Sequence, residues 1–316
     1  MSKSILVTGA AGFIGFHAAL ALKKRGDRVV GLDNFNDYYD PSLKRRRAEI
    51  LKEHGIDVVE ADINSRDVLE NLFSVHAFTH LLHLAAQAGV RYARENPESY
   101  LKSNIDGFLA ILETLRHHPK TDLVYASSSS VYGTNVKVPF SVTDRTDHPA
   151  NLYAATKKSN ELMAYCYHHL YGNRMRGLRF FTVYGPWGRP DMALFSFTEA
   201  ISRGKPIHLF NNGEMERDFT YIDDVVAGTL AAIDCDEEYD VYNLGSHEPA
   251  PLLTFVSLIE KELGKAAIKV FEGESSGEVK TTCADISDAQ EKLGYAPKTS
   301  LEEGIRHFIN WYQEYA

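Results

Sequence analysis

Short apolar runs alternate with longer segments of helical periodicity from Ser4 to about residue 179. Continuous apolar runs are typical of strands covered on both faces, whereas apolar residues three and four apart are typical of amphipathic helices. The alternation therefore predicts βαβ units and a parallel sheet with helices on both faces. The predicted strands are Ser4–Thr8, Arg28–Leu32, Asp57–Glu60, His80–Ala85, Asp122–Ser127 and Arg176–Phe181.

The alternation loosens beyond residue 181, where glycines and prolines at 185–190 punctuate a loop. We therefore predict a doubly wound α/β domain over residues 1–180 and a smaller C-terminal α/β lobe over 181–316. One more apolar strand, at 241–244, is expected to return to the main sheet.

A glycine-rich turn follows the first predicted strand, in ILVTGAAGFIG at 5–15. Gly9, Gly12 and Gly15 let the backbone turn sharply and approach a pyrophosphate at a helix start, although an ordinary strand-to-helix turn is the alternative. Asp33 follows the second strand and favours the nucleotide interpretation, because an acid at this distance binds the adenosine ribose hydroxyls. A carboxylate there would repel a 2′-phosphate, so we predict NAD rather than NADP.

Small and polar residues follow other strands, at the edge where parallel sheets bind ligands. Asp62 and Ile63 end the third strand and suit an adenine ring, with a turn or a helix-capping aspartate as the alternative. Ala85 and Ala86 are small enough to let a cofactor lie close to the fourth strand.

Tyr153 and Lys157 lie four residues apart at the start of a predicted helix, so they share one face. A lysine cation favours the phenolate of a tyrosine, whose pKa is otherwise about 10. The serines at 127–130 precede this pair at a strand end, where a hydroxyl can bond a substrate oxygen and relay its proton. Helix surface and solvated loop are the alternatives, but the two motifs together favour proton abstraction beside a nicotinamide.

Composition and charge limit the classes of partner. The 316 residues are 44% hydrophobic and 24% charged, which predicts an ordinary globular protein, and the net charge of −9 argues against nucleic acid and membrane partners. Cys166, Cys235 and Cys283 occur singly, so we expect reduced thiols, no disulfide and no metal. With no long apolar run and a first strand at residue 4, we expect a cytoplasmic protein without a signal peptide.

Two long helical segments, 97–117 and 151–171, carry apolar residues around much of their surface. Examples are Phe108, Leu112, Leu162, Tyr165 and Leu170. Such faces predict a homodimer through a helix bundle, with burial inside one subunit as the equal alternative.

Four ordered motifs resemble the extended short-chain dehydrogenase/reductase family over essentially the whole chain. They are TGAAGFIG, ASSSSVYG, the segment from Tyr153 to Lys157, and RDFTYIDD. Within that family the chain most resembles the UDP-glucuronate 4-epimerases, through DNFNDYYDPSLKRRR at 33–47, LAAQAGVRYA at 84–93 and RFFTVYGPWGRPDMALF at 179–195. The resemblance implies a Rossmann sheet and an NAD-dependent inversion at carbon 4 of UDP-glucuronate, which gives UDP-galacturonate through a 4-keto sugar.

The same resemblance assigns roles to residues. Tyr153, Lys157 and Ser128 match the catalytic positions. The implied cofactor contacts are Gly9, Gly12, Phe13, Ile14, Gly15, Asp33, Asn34, Asp62, Ile63, Leu84, Ala85, Ala86, Gln87, Asn104, Tyr153 and Lys157. The implied UDP-sugar contacts are Arg91, Ser128, Ser129, Ser130, Tyr153, Thr182, Arg189, Ile207, Leu209, Phe210, Arg217 and Glu278.

Specificity within the family depends on a few positions. Arg189 and Thr182 are the predicted holders of the sugar carboxylate, with a solvated loop position as the alternative for Arg189. Ser130 stands where related dehydratases and decarboxylases place an acid, which argues against those activities. Related enzymes carry arginine or glutamine shortly before a Gly-Asp pair where this chain reads SSGE at 275–278, so a diphosphate contact near Glu278 stays open.

Two rival functions are compatible with the same motifs. One is a 4-epimerase for neutral UDP-hexoses or UDP-pentoses. The other is a non-catalytic NAD-sensing protein, a class that typically lacks the tyrosine or the lysine present here.

Overall fold

Strands and helices alternate over the first half of the chain in the computed structural model, which describes residues 2–273 and 279–315. The strands are β1 (Ser4–Thr8), β2 (Arg28–Asp33), β3 (Asp57–Glu60), β4 (His80–His83), β5 (Asp122–Ser128), β6 (Met175–Phe180), β7 (Thr182–Tyr184), β8 (Pro206–Leu209), β9 (Glu216–Tyr221), β10 (Tyr239–Leu244), β11 (Pro249–Pro251) and β12 (Ile268–Phe271). The helices are α1 (Phe13–Lys24), α2 (Ser42–Glu53), α3 (Arg66–Val75), α4 (Tyr92–Glu95), α5 (Pro97–Tyr100), α6 (Gly107–Arg116), α7 (Leu152–Tyr171), α8 (Ala193–Ser202), α9 (Ile222–Asp234), α10 (Leu252–Leu263), α11 (Ser287–Leu293) and α12 (Leu301–Tyr315).

The main sheet has the parallel strand order β10-β6-β5-β4-β1-β2-β3. Its strand order reverses between β1 and β4, which is the switch point where doubly wound sheets bind nucleotides. Alternate residues of one strand enter different apolar clusters: Ile5 and Val7 pack on one face of the sheet, and Leu6 packs on the other. The predicted doubly wound α/β class is confirmed.

The smaller lobe contains the sheet β11-β9-β7 and the strand pair β12-β8. Between these strands the chain returns to the main sheet, where α9 packs on α1 and β10 pairs with β6. The chain therefore crosses between the two parts more than once, and a division at residues 180 and 181 stays a prediction.

Two predicted elements have different limits in the structure. The fourth strand ends at His83 rather than Ala85. The Leu84 amide still bonds to the Thr8 carbonyl of β1, but the Ala85 amide bonds to the Thr8 hydroxyl instead of the backbone. The helix expected over 97–117 is divided by a π-helical turn at Leu101–Asp106. None of the helices in the described ranges is both long enough and apolar enough to cross a bilayer.

Candidate functional site

A cleft of about 840 Å³ lies beyond the carboxyl ends of β1, β2, β4 and β5, between the sheet and the smaller lobe. It brings together most of the residues predicted for the site. Those lining it are Gly9, Gly12, Phe13, Ile14, Gly15, Asp33, Asn34, Asp62, Ile63, Leu84, Ala85, Ala86, Gln87, Arg91, Ser128, Ser129, Ser130, Tyr153, Lys157, Thr182, Arg189, Phe210 and Arg217.

The glycine turn is packed too closely for side chains. Gly9 has φ +69°, and a Cβ there would stand 2.7 Å from the amide nitrogen of Ala85. A Cβ at Gly12 would stand 2.9 Å from the carbonyl oxygen of Gly9. Since α1 begins directly after Gly12, its first amides and its dipole face the cleft and suit a diphosphate.

Asp33 ties this turn to the end of β2. Its carboxylate accepts hydrogen bonds from the amides of Ala11, at 3.0 Å, and Phe35, at 2.9 Å. Burial raises the pKa of the Asp33 carboxyl, while these amides and the Lys44 and Arg47 cations act to lower it. A buried acceptor at this place fits the ribose hydroxyls of NAD, which are hydrogen-bond donors.

Asp62, which is predicted to contact adenine, lines the cleft after β3. It accepts hydrogen bonds from the Asn34 side chain at 3.0 Å and from the amide of Asn64 at 2.9 Å. Burial acts to raise the pKa of the Asp62 carboxyl, but these bonds outweigh it and the net shift is downward. The carboxylate therefore stays charged beside Ile63.

Asn104 is predicted as a cofactor contact, but it does not line the cleft. It is buried on the π-helical turn, where its side chain accepts from the Gln87 amide at 2.8 Å and donates to the Gln87 carbonyl at 3.0 Å. Asn104 thus holds the strand end that carries Gln87, and it does so from behind the cleft wall.

Tyr153 and Lys157 lie in the first turns of α7, whose start is capped by the Asn151 side chain through the amide of Ala154. The Lys157 ammonium donates to the carbonyl of Ala126 at 2.8 Å, and burial lowers its pKa to about 8. This lysine therefore holds the helix against the end of β5.

Three features of the surroundings change the pKa of the Tyr153 phenol. Burial raises the pKa of the Tyr153 phenol and gives a net upward shift, while a hydrogen bond with the Ser128 hydroxyl and the charge of Arg189 act to lower the pKa. The serine and the arginine thus both favour the phenolate, and Arg189 is a cation that the tyrosine-lysine spacing did not identify.

A buried ion pair lies behind the serine run and was not predicted. Glu161 accepts from the Arg179 guanidinium at 2.8 and 2.9 Å and from the Ser127 hydroxyl at 2.7 Å. Glu161 follows Tyr153 and Lys157 at the same four-residue spacing, and this repeat was the available signal. The pair locks α7 against β5 and β6, and so sets where the phenol stands.

Arg189 lines the cleft and carries a partner that sequence reasoning missed. Its Nε and Nη2 bond to the Asp191 carboxylate, at 3.0 and 2.5 Å, and the Tyr38 hydroxyl donates to Asp191 at 3.0 Å. Burial and the Asp191 charge raise the pKa of the Tyr38 phenol to about 12, so it remains a donor. This geometry argues against the solvated-loop alternative for Arg189. The second terminal nitrogen, Nη1, lies outside the pair with Asp191.

The far end of the cleft is formed by the smaller lobe. The Arg91 guanidinium lies 4.1 Å from the centre of the Phe210 ring, and Arg217 bonds to the carbonyls of Glu216 and Lys280. A flat cationic group on an aromatic ring makes a surface on which a base can stack.

The predicted uracil contacts at Ile207 and Leu209 need correction. Both side chains are buried in the apolar core, because alternate residues of β8 point to opposite faces. His208, which points the other way, lines the cleft together with Phe210. Glu278 and the segment SSGE lie outside the described residues.

Comparison with known proteins places this geometry in a family. Residues 5–245 match the family model for the NAD dependent epimerase/dehydratase family. UDP-glucuronate 4-epimerase 4 of Arabidopsis thaliana is 53% identical over 330 aligned positions, which cover 99% of this chain and 76% of that protein.

Solved structures share the fold. A Bacillus cereus UDP-glucuronic acid 4-epimerase in complex with UDP-glucuronic acid and NAD is 36% identical, with a TM-score of 0.92 over 99% of this chain and 100% of that one. A Thermotoga maritima UDP-glucose 4-epimerase with UDP-glucose is 32% identical, with a TM-score of 0.90 over 99% of each chain. The chain belongs to the NAD dependent epimerase/dehydratase family, and the cofactor that its glycine turn and Asp33 fit is NAD.

Proposed function

We propose that this protein is an NAD-dependent 4-epimerase that interconverts UDP-glucuronate and UDP-galacturonate. One observation carries the proposal: the Arg189 guanidinium and the Tyr153 phenol line the same cleft, and they lie close enough for the arginine charge to act on the phenol. A base for a sugar hydroxyl and a cation suited to a sugar carboxylate therefore share one end of the cleft. The identity of 53% to a plant UDP-glucuronate 4-epimerase supports the same substrate.

Tyr153 is the proton-transfer residue of the proposed reaction. Its phenolate oxygen takes the proton of the sugar 4-hydroxyl, and the Ser128 hydroxyl, bonded to the phenol, orients that substrate oxygen. NAD, which the glycine turn and Asp33 would hold, would supply the acceptor for the hydride of carbon 4 and the donor that returns it to the other face of the ring. Tyr153 then gives the proton back to the 4-oxygen of the inverted sugar. Lys157 keeps α7 in place through its bond to Ala126.

The oxidised sugar imposes a second task on the site. A 4-keto glucuronate is a β-keto acid, and it loses carbon dioxide when its carboxylate can rotate freely. We assign Arg189 and Thr182 to hold that carboxylate, with Ser129 and Ser130 on the opposite side of the sugar. A fork of N–H donors suits a carboxylate because it fixes the plane of the group as well as its position.

The UDP portion is assigned to the smaller lobe. Phe210 and the Arg91 guanidinium above it suit the uracil, and Arg217 suits the diphosphate. Local cations are needed here because the chain as a whole carries a net charge of −9.

A 4-epimerase for neutral UDP-hexoses is the second candidate, since the Thermotoga maritima relative is named for UDP-glucose and has the same fold. The position of Arg189 in the cleft favours the acidic sugar, because a neutral hexose has no group that needs a guanidinium.

The test is to incubate the purified protein separately with UDP-glucuronate, UDP-glucose and UDP-xylose and to separate the products by chromatography. We expect UDP-galacturonate from the first substrate at a far higher rate than product from the others. The Tyr153→Phe variant should lose turnover while still binding the sugar nucleotide. Unimpaired turnover by this variant would end the proposed mechanism, and fast turnover of UDP-glucose alone would favour the rival.

We further propose a homodimer formed through α7. Leu162, Tyr165 and Leu170 are 60%, 55% and 60% exposed and lie on neighbouring parts of this helix, whereas Phe108 and Leu112 of α6 are buried within the subunit. Two copies of the α7 surface would cover these side chains around a twofold axis.

We also propose a cytoplasmic location, supported by the free cysteines Cys166, Cys235 and Cys283. Recovery of the activity in a secreted or membrane fraction of the source cells would contradict this location.

A further inference from the structure

The stretch DNFNDYYDPSLKRRR carries much of the resemblance, yet only its first two residues, Asp33 and Asn34, are assigned to the cofactor. Its last residue, Arg47 on α2, is completely buried with 0% exposure. Within the described residues, no carboxylate forms a salt bridge with this guanidinium. The charge of Arg47 acts on the Asp33 carboxylate without a direct ion pair, so the cost of burying this guanidinium is offset mainly by the hydrogen bonds that it makes.

Arg47 joins two loops from different halves of the chain. Its Nη1 donates to the carbonyl of Ala11 in the glycine turn, at 2.9 Å, and to the hydroxyl of Tyr39, also at 2.9 Å. Its Nη2 donates to the carbonyls of Trp187 and Gly188, at 2.6 and 3.2 Å. One rigid guanidinium plane therefore fixes the distance between the NAD-binding turn and the loop that carries Arg189.

The rest of that loop is also held from the first half of the chain. His17 of α1 bonds to the carbonyl of Pro186 at 2.9 Å, and Tyr38 donates to Asp191 at 3.0 Å. Trp187 has a φ of +58°, which side chains rarely adopt, and its ring packs 5.6 Å from that of Phe16 in α1. A strained residue persists only where its surroundings hold it, and here those surroundings belong to α1, α2 and α12, whose Trp311 ring lies 5.2 Å from that of Trp187.

We propose that Arg47 is a positioning residue for acidic-sugar selectivity: it places Arg189 at a set distance from the cofactor turn without touching the substrate. This inference rests on the proposed function, because it takes the sugar carboxylate as the partner of Arg189. A shift of about 1 Å in the loop is enough to misplace a guanidinium fork against a carboxylate.

The test compares binding of UDP-glucuronate and UDP-glucose in the NAD-loaded Tyr153→Phe background, where turnover is blocked. Isothermal titration calorimetry gives both dissociation constants. The dissociation constant of UDP-glucose divided by that of UDP-glucuronate measures what the carboxylate contributes to binding. We expect Arg47→Met to reduce this ratio about tenfold or more, mainly by weakening UDP-glucuronate binding. The matched control is Arg46→Met, because Arg46 is the neighbouring exposed residue of α2 and pairs with Glu49 on the surface.

The outcomes separate the two proposals. If the ratio is high in the Tyr153→Phe protein and Arg47→Met leaves it unchanged, the role of Arg47 is overturned, and the acidic substrate is not. Loss of bound NAD with an unchanged ratio would also overturn this role, since Arg47 would then serve only the cofactor turn. A ratio near one before any change at Arg47 would overturn the acidic substrate and this inference together.

Further variants decide the question if Arg47→Met does not fold. Arg47→Lys keeps the charge but cannot span the same carbonyls, and Tyr38→Phe removes only the hydrogen bond to Asp191. We expect both to lower the ratio in the same direction. Unchanged ratios in both variants would overturn the proposal.

Discussion

Lys157 is a charged group in a place that water hardly reaches, since it is 2% exposed. Lys157 occupies a position on α7 beside Tyr153, and burying its ammonium there lowers the free energy of unfolding. That cost is visible in the pKa of Lys157, which burial lowers to about 8. Ionisable residues whose pKa is strongly shifted by burial are typical of functional sites.

Lys157→Met is expected to abolish turnover and to stabilise the cofactor-free protein. The unfolded chain binds more protons than the folded one between pH 8 and 10.5, so the stability of the native protein rises with pH across that window. Below pH 8 the variant should gain about 2 kcal/mol, which is the relieved burial cost less one lost hydrogen bond.

Unfolding followed as a function of pH checks this prediction, with exposed Lys52→Met on α2 as the control. The gain should shrink as the pH rises toward 10.5. A variant that is less stable than the native protein at pH 7 would contradict the burial argument.

Arg189→Ala is the residue-scale test of specificity. We expect kcat/KM for UDP-glucuronate to fall about a hundredfold, because a charge-assisted bond is lost and Asp191 is left to repel the sugar carboxylate. Turnover of UDP-glucose should fall far less. Steady-state kinetics with both substrates measure this, and the control is Arg203→Ala, since Arg203 follows α8 directly and pairs with Glu199 at the surface. Equal losses on both sugars would remove Arg189 from carboxylate recognition.

At the scale of elements, the register of α7 against the sheet decides where the phenol stands. Lys157 and Glu161, both on the face that carries Tyr153, bond to the end of β5 through Ala126 and Ser127. Burial acts to raise the pKa of the Glu161 carboxyl, but the Arg179 guanidinium outweighs it and holds the pKa below its usual value. The helix α7 is therefore fixed by a charge pair in the protein interior.

Glu161→Gln is expected to destabilise the protein by about 3–5 kcal/mol, because it leaves the Arg179 charge buried without its partner. The thermal midpoint, measured by calorimetry, should fall by several degrees. Glu49→Gln breaks an exposed pair with Arg46 and should change stability by less than about 1 kcal/mol. Similar midpoints for the two variants would show that the buried pair does not hold α7.

The elements also show where sequence patterns stop being informative. Strand bounds were predicted closely, because buried parallel strands are apolar along their whole length. The π-helical turn was not predicted, because side-chain periodicity does not record a local change in backbone bonding. Here Asn104 is drawn toward Gln87, a contact between residues 17 positions apart.

At the scale of the whole molecule, a negatively charged protein has to bind a negatively charged substrate. The net charge is −9, and the cleft is lined both by carboxylates, Asp33, Asp62, Glu95 and Asp191, and by cations, Lys44, Arg91, Lys157, Arg189 and Arg217. These cations come from elements far apart in the chain, so their concentration at one place is a product of the fold.

Leu162→Glu is the test of the proposed homodimer. We expect its mass, measured by light scattering after gel filtration, to fall from twice the chain mass to the chain mass, because each charge would be buried against its symmetry copy. Leu253→Glu, at an exposed apolar position of α10, is the control and should leave the mass unchanged. A native protein that is already monomeric at micromolar concentration would exclude the dimer.

The sequence by itself determined the doubly wound sheet and the glycine turn after its first strand, because these depend on local spacing and on the period of apolar residues. It also predicted Tyr153, Lys157 and Ser128 as site residues, and all three line the cleft. Tertiary structure alone decided that Tyr38 donates to Asp191, that Ile207 and Leu209 face the core, and that Arg47 joins the glycine turn to the 185–191 loop. Each of these depends on which segments meet in space. The periodicity of apolar residues along a chain reports local structure, so it does not predict contacts between residues that are far apart in the sequence.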